Sequence, residues 1–208
     1  MVVHRAPALS RGEALELHRQ ALVIDSQQPP VTAGLLVSEE MSRALDKLVA
    51  RGRTRSEAAP ALEAMAARQI HSSPAARATY LDVWDRSGVT VACRTFASTG
   101  RISEAFECGF RRIAHGRAII DALPDRMALI RTAADIERAH ADGKHGVIVD
   151  FQDTIAFVDD SSQIQVFHDL GLRMVQLTYN RQNLVGDGCT ENPQGVLTCG
   201  TAVKSRDG

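Results

Sequence analysis

Apolar residues in this chain occur either in short continuous runs or in longer stretches with a helical period. Four continuous runs have the length and β-branched composition of buried strands: ALVID (21–25), SGVTVACRTF (87–96), GVIVDF (146–151) and LRMVQLTY (172–179). A strand that is apolar throughout, rather than at every second residue, is typical of a parallel sheet that is covered on both faces. A shorter run, MALIRT (127–132), is interpreted as a short strand-like segment.

The stretches between these runs carry apolar residues at spacings of three and four, which predicts helices. Ser10 with Glu13, and Thr132 with Asp135, have the spacing of an N-terminal capping box. Pro74 stands where a proline is tolerated, in the first turn of a helix. The predicted helices cover residues 10–20, 38–51, 56–71, 74–86, 102–122, 133–143 and 161–170.

Strands that alternate with helices predict a parallel α/β sheet. No GxGxxG follows the first strand and no GxxxxGK[ST] is present, so neither a dinucleotide-binding fold nor a phosphate-binding loop is supported. A (β/α)₈ barrel of the TIM type is therefore the favoured architecture. Such a barrel takes about 250 residues, whereas this chain has 208 residues and four main strands. We expect one partial barrel domain over residues 1–208, with about the first four β/α units.

Composition and charge exclude several classes of protein. The chain has 24 Lys and Arg against 25 Asp and Glu, a formal net charge of -1, which does not suit a nucleic-acid binder. No apolar run approaches the roughly 20 residues that cross a bilayer. The opening MVVHRAPALSRGE has no apolar leader, so we expect a cytoplasmic protein. None of its four cysteines forms CxxC, and reduced, partly buried thiols are expected.

Candidate functional residues are sought where strands end, because parallel α/β folds place their reacting groups there. The candidates, taken from the ends of the first, third and fourth main strands, are Asp25, Gln27, Gln152, Asp153, Tyr179, Asn180 and Asn183. They are rich in amide and hydroxyl groups and contain no histidine. Such groups orient a polar ligand through hydrogen bonds but do not by themselves hold a transition metal.

Several motifs resemble one known family. They are VIDSQQPP at the first strand, VDFQDT at the third, the long stretch FHDLGLRMVQLTYNRQNLVGDGCTEN, and GVLTCG. Together they are similar to the membrane (renal) dipeptidase family, which consists of zinc-dependent (β/α)₈ hydrolases. The resemblance covers nearly the whole chain but only the N-terminal half of the family. It implies hydrolysis of dipeptides or related small amides, and hence a small peptide-like ligand.

The resemblance also allows the family's metal ligands to be compared position by position. The family's His-x-Asp after the first strand matches Gln27 and Pro29, and its zinc-bridging glutamate matches Gln152. The substrate-contacting histidine after the fourth strand matches Tyr179. Proline has no side-chain donor and glutamine carries no charge to offset a dication. The other family ligands, two histidines, would lie beyond Gly208. We therefore expect no metal site and no zinc-dependent activity in these residues.

Three interpretations stay open. The chain is a dipeptidase-like hydrolase that has lost its zinc centre, or a non-catalytic, metal-independent binder of small molecules on the same scaffold. The third is half of a split barrel, which self-associates or needs a chain that supplies the other half, because an open sheet leaves its outer strands unpaired. For the site residues the alternative is structural. Gln27 and Gln152 would satisfy backbone groups, and Tyr179 would pack on a neighbouring loop.

Overall fold

The computed structural model describes residues 8–26, 38–97, 102–157, 160–180 and 182–190, which form seven α-helices and five strands. In chain order these elements are α1 (Arg11–Gln20), β1 (Ile24–Asp25), α2 (Glu39–Ala50), α3 (Arg55–Ser72), α4 (Pro74–Ser87), β2 (Val91–Ala97), α5 (Ile102–Asp121), β3 (Met127–Ile130), α6 (Ala133–Ala141), β4 (His145–Phe151), α7 (Ser162–Asp169) and β5 (Leu172–Val175). A 3₁₀ turn, Ile155–Phe157, lies between β4 and α7.

The five strands form one sheet in which all pairings are parallel. The central strands are β2 and β4, and β1 lies on the outer side of β2. On its other edge β4 pairs with β3 along residues 145–148 and with β5 along residues 149–151. Apart from β3, the strands therefore lie side by side in the order in which they follow in the chain: β1, β2, β4 and β5. Successive units of a (β/α)₈ barrel have this arrangement. The predicted parallel α/β class is confirmed.

The short strand-like segment expected at 127–132 forms β3 (Met127–Ile130), which joins the four main strands in the sheet. The predicted extent of two main strands was wrong. The first strand is much shorter than ALVID, and the backbone of Val23 bonds instead to Thr90, just before β2, and to Val91, the first residue of β2. The last strand ends at Val175 rather than at Tyr179.

The strand β5 ends early because side chains take over the hydrogen bonding of the next segment. The carbonyl of Leu177 accepts hydrogen bonds from Asn183 Nδ2 at 2.8 Å and from Thr154 Oγ1 at 3.2 Å. A carbonyl that is occupied by side chains does not enter a strand ladder. Tyr179 therefore lies in a loop, four residues after the strand.

The two faces of the sheet are covered by different elements. One face packs against helices through large buried side chains, among them Trp84, Phe96 and Phe167. The other face is covered by α6 at the beginning of the strands, where Val91 and Ile130 form a smaller cluster with that helix. Towards the ends of the strands this second face carries polar and sulfur-containing side chains, which form the candidate site.

The helix ends agree with the sequence. Both predicted capping boxes, Ser10 with Glu13 and Thr132 with Asp135, are present. A third capping box, Thr54 with Glu57, starts α3 and was not predicted. Among the helices that the structure describes, none is long and apolar enough to cross a membrane.

Candidate functional site

The end of β2 meets the end of β4 through Thr95 and Asp150, which are register partners. The hydroxyl of Thr95 donates a hydrogen bond to Asp150 Oδ2 at 3.2 Å. Asp150 is only 6% exposed, and this burial raises the pKa of its carboxyl group, although the hydrogen bond from Thr95 opposes the rise. The site therefore contains a carboxyl group whose charged form is penalised by burial.

The buried thiol of Cys93 lies near this pair, two residues before Thr95 on β2. Cys93 Sγ donates to Met174 Sδ at 3.2 Å, which joins β2 to β5 across β4. Burial, together with the nearby carboxylates of Asp150 and Asp25, raises the pKa of the Cys93 thiol to about 11. Asp25, a sequence candidate at the end of β1, therefore lies close enough to act on the same thiol.

Asp153 has a local structural role. It is only 2% exposed, and its Oδ1 accepts a hydrogen bond from the backbone N–H of Ile155 at 3.0 Å. Burial raises the pKa of the Asp153 carboxyl group, and the hydrogen bond from Ile155 opposes this rise. This is the geometry of an aspartate that closes a turn on its own backbone. The carboxyl group shapes the loop after β4.

Gln152 lies between these two aspartates and behaves differently. Its side chain is half-buried, and its carboxamide makes no hydrogen bond with any part of the chain that the structure describes. The structural alternative, in which Gln152 satisfies a backbone group at the end of its strand, is therefore not what is found there. The other glutamine candidate, Gln27, and Pro29 lie outside the described residues.

The loop after β5 is held together by the two asparagine candidates. Asn180 accepts hydrogen bonds through its backbone carbonyl from the N–H and the hydroxyl of Thr190, and through Oδ1 from Cys189 Sγ at 3.3 Å. Asn183 Oδ1 accepts from the backbone N–H groups of Val185 at 2.8 Å and Gly186 at 3.1 Å. Both side chains thus fix the loop rather than reach towards a ligand.

Tyr179 is held by this loop but keeps an accessible ring. Its backbone carbonyl accepts a hydrogen bond from the N–H of Cys189 at 2.8 Å, while the residue as a whole is 37% exposed. Among the described candidates, Gln152 and Tyr179 therefore have side-chain groups available to a ligand, whereas Asp153, Asn180 and Asn183 are engaged with the protein.

A buried ion-pair network behind β2 was not predicted. Glu63 of α3 accepts from Arg112 of α5, with Nε–Oε2 at 3.0 Å and Nη2–Oε1 at 2.7 Å. Arg94 Nη2 lies 3.5 Å from Glu63 Oε1, within ion-pair distance. All three residues are at least 93% buried. The available signal was an arginine inside the otherwise apolar run VACRTF, which needs a buried partner.

At the described strand ends, the position that the resemblance compares with the family's zinc-bridging glutamate carries a carboxamide, that of Gln152. Structural and catalytic zinc sites use imidazole, thiolate and carboxylate ligands. Among the described residues, no group of three or more His, Cys, Asp and Glu side chains is placed to hold a metal ion. The strand ends offer instead the carboxamide of Gln152, the phenol of Tyr179 and the carboxyl group of Asp150, whose pKa is raised.

Comparison with known sequences identifies one family. Residues 16–203 match the sequence profile of the membrane dipeptidases, peptidase family M19. No curated protein sequence matches the chain.

Several solved structures have a similar fold. An amidohydrolase from Pseudomonas aeruginosa is 25% identical, with a TM-score of 0.53 over 88% of this chain and 42% of that one. The probable dipeptidase PvdM from the same organism is 16% identical, with a TM-score of 0.55 over 85% of this chain and 39% of that one. A metallopeptidase from Rhodobacter sphaeroides, liganded with a phosphinate mimic of the dipeptide L-Ala-D-Ala, is 18% identical, with a TM-score of 0.52 over 67% of this chain and 52% of that one. The chain spans about half, or less, of the length of these proteins.

Proposed function

Because the chain belongs to the membrane dipeptidase family, peptidase family M19, we propose that its strand ends bind a dipeptide or a related small amide without a two-zinc centre of their own. One observation carries the proposal. At the end of β4, where the resemblance places a zinc-bridging glutamate, the chain has a half-buried carboxamide, that of Gln152, without a hydrogen-bond partner among the described residues.

A carboxamide is suited to an amide ligand. The Gln152 side chain offers two N–H donors and one carbonyl acceptor, so it complements both the C=O and the N–H of a peptide bond. The Tyr179 phenol adds a hydroxyl and an apolar ring at the same end of the sheet. A few placed polar groups beside apolar surface are the usual composition of a small-molecule site.

The same chemistry argues against activation of water by zinc in these residues. Glutamine is uncharged, and the neighbouring carboxyl of Asp150 has a raised pKa because it is buried. Neither group compensates the charge of two dications. The residues of this chain therefore bind and orient an amide, and hydrolysis by the chain alone is not expected. The ligand class is supported by the metallopeptidase from Rhodobacter sphaeroides, which was solved with a phosphinate mimic of L-Ala-D-Ala.

Calorimetric titration of the wild-type chain with a panel of dipeptides, including L-Ala-D-Ala, and with small primary amides tests the proposal. We expect at least one dipeptide to bind and Gln152→Ala to weaken that binding about tenfold, the effect of about one charge-neutral hydrogen bond. Gln165→Ala is the matched control, because Gln165 is on α7, where its carboxamide donates to Asp169 Oδ1 at 2.8 Å. Equal affinities of wild type and Gln152→Ala for every ligand, or no binding at all, would contradict it.

A further inference from the structure

A set of buried hydrogen-bond donors lies between β2 and the helices that cover it. Tyr80 and Trp84 of α4 and Arg94 of β2 are 1%, 0% and 2% exposed. The Tyr80 hydroxyl, the indole N–H of Trp84, and Nε and Nη2 of Arg94 have no hydrogen-bond partner among the residues that the structure describes. Buried polar groups of folded proteins are nearly always hydrogen-bonded, so an unpartnered set of this kind points to a bound ion or a bound water.

These donors form one cluster on the helix side of the sheet. Tyr80 and Trp84 are four residues apart on α4, so they share one face of that helix. Burial raises the pKa of the Tyr80 phenol, which therefore keeps its proton, while the positive charge of Arg94 and the nearby indole of Trp84 oppose the rise. Arg94 stands between Cys93 and Thr95 on β2, so its side chain is on the opposite face of the sheet from theirs. The cluster is therefore separate from the candidate site at the strand ends.

The guanidinium group of Arg94 has one edge that makes no hydrogen bond to the described part of the chain. Its flat face lies over the ring of Phe96, with Cζ 4.6 Å from the ring centroid. Arg112 donates through Nε and Nη2 to both oxygens of Glu63. The same two nitrogens of Arg94 lack such a partner, and Nη2 comes no closer than 3.5 Å to Glu63 Oε1. Two neighbouring N–H groups of this kind are what arginine uses to bind anions.

Charge favours an anion over water in this cluster. Within the described residues, the guanidinium groups of Arg94 and Arg112 face one buried carboxylate, that of Glu63. His115 of α5 is also close, but burial lowers its pKa, so its imidazole adds no charge at pH 7. One buried positive charge is therefore left without a buried negative charge, which is costly and which water does not supply. Other charged side chains that act on this region are exposed and screened by solvent: Arg68, Glu104 and Arg111.

We propose that this cluster binds a monatomic anion, chloride, between the Nε–Nη2 edge of Arg94 and the donors of α4. Guanidinium and indole nitrogens can only donate, and the Tyr80 hydroxyl can donate as well, so one anion satisfies them all. Because these side chains are almost completely buried, a larger anion such as sulfate or phosphate would have to displace packed side chains. The bound chloride joins α4 to β2 and stabilises the folded state. It does not depend on what the strand ends bind.

Thermal unfolding in mixtures of sodium chloride and sodium gluconate, at constant ionic strength and pH 7, tests the proposal. Gluconate is too large for an enclosed site. A ligand that binds only the folded state raises the unfolding temperature, here by about 3–5 °C for each tenfold increase in chloride above its dissociation constant. Tyr80→Phe removes one donor to a charged acceptor, so it should raise the dissociation constant of chloride about tenfold or more. The rise in unfolding temperature then begins at a higher chloride concentration.

Thr79→Val is the matched control for Tyr80→Phe. It removes the hydroxyl of the preceding residue, which is exposed and donates to the carbonyl of Ala75 at 3.0 Å. This variant should keep the chloride dependence of the wild type.

Bromide then locates the anion. Crystals of the wild-type protein grown in sodium bromide should show anomalous density at the Nε–Nη2 edge of Arg94, next to the Tyr80 hydroxyl. Three results would each overturn the proposal. They are a wild-type unfolding temperature that does not change with chloride, equal chloride dependence in wild type and Tyr80→Phe, and density at this edge without an anomalous signal, as a water molecule gives.

Discussion

Arg112 of α5 and Glu63 of α3 form a bidentate ion pair in the interior of the protein. The guanidinium group of Arg112 donates to both carboxylate oxygens of Glu63. Arg112 Nη2 also lies 3.4 Å from the backbone carbonyl oxygen of Thr95. The hydroxyl of Thr95 in turn donates to Asp150. The pair thus connects the helix layer behind β2 to the candidate site in front of it.

Removing the carboxylate of this pair should strongly destabilise the fold. In Glu63→Gln two buried guanidinium groups, those of Arg94 and Arg112, lose the anion that compensates them. Breaking a buried pair by removing one partner costs about 3–5 kcal/mol. Urea unfolding followed by circular dichroism measures the change in the free energy of unfolding.

The control for this variant is an ion pair in water. Glu39 bonds to Arg43 at 2.9 Å, but both side chains are well exposed, at 82% and 64%. Glu39→Gln should cost no more than about 1 kcal/mol. If both substitutions lowered the free energy of unfolding equally, the buried network would contribute no more to stability than the exposed pair.

The raised pKa of Asp150 predicts a pH-dependent effect on stability. Because burial raises its pKa in the folded state, this carboxyl group stabilises the fold at low pH, and that stability is lost as the pH rises through the folded-state value. Asp150→Asn keeps an oxygen that accepts from Thr95 and removes the charge. The variant should therefore be more stable than the wild type at pH 7, with the advantage disappearing towards pH 3.

Thermal unfolding at a series of pH values measures this difference. Asp169→Asn is the control, since the Asp169 side chain is 67% exposed. If the difference in unfolding temperature between wild type and Asp150→Asn stayed constant from pH 3 to pH 7, burial would not be penalising the charged form of Asp150.

Gly116 provides a test of the packing between α5 and β2. A Cβ atom on Gly116 would lie 1.9 Å from Phe96 Cε1, and Phe96 is only 1% exposed. Gly116→Ala should therefore cost about 1–3 kcal/mol through overpacking. Gly12→Ala in α1, where the nearest atom is Ser10 Oγ at 4.0 Å, should be neutral or stabilising by up to about 1 kcal/mol. Differential scanning calorimetry of both variants checks the sign of each change.

The cysteines should differ in reactivity. Cys189 is exposed, whereas Cys93 is buried and has a thiol pKa of about 11. Iodoacetamide at pH 8 reacts with thiolates, so Cys189 should be alkylated in the native protein while Cys93 reacts only after unfolding. Peptide mass mapping over a time course resolves the two sites. Fast labelling of Cys93 in the native protein would mean that the face of the sheet that carries the candidate site is open to solvent at Cys93.

The sequence was sufficient for the features that depend on local pattern. Continuous apolar runs predicted the parallel sheet, and the spacing of Thr132 and Asp135 predicted a helix start that the structure contains. The extent of β1 and β5 was not predictable in this way, because it depends on hydrogen bonds to distant groups such as Thr90 and Thr154.

The same limit applies to the candidate site. Glu63 and Arg112 are 49 residues apart in the chain, and no spacing rule pairs them. Likewise, the strand-end rule selected Asp153 and Gln152 together, although one closes a turn and the other is available to a ligand. Only the folded backbone distinguishes a polar group that the protein uses for itself from one that it presents.

The most direct test of the proposed function is the amount of zinc bound per chain, measured by equilibrium dialysis against micromolar zinc and elemental analysis of the purified 208-residue protein. The account predicts less than one zinc ion per chain, with dipeptide binding unchanged by a chelator. Two zinc ions per chain, together with dipeptide hydrolysis that is lost on chelation, would contradict it.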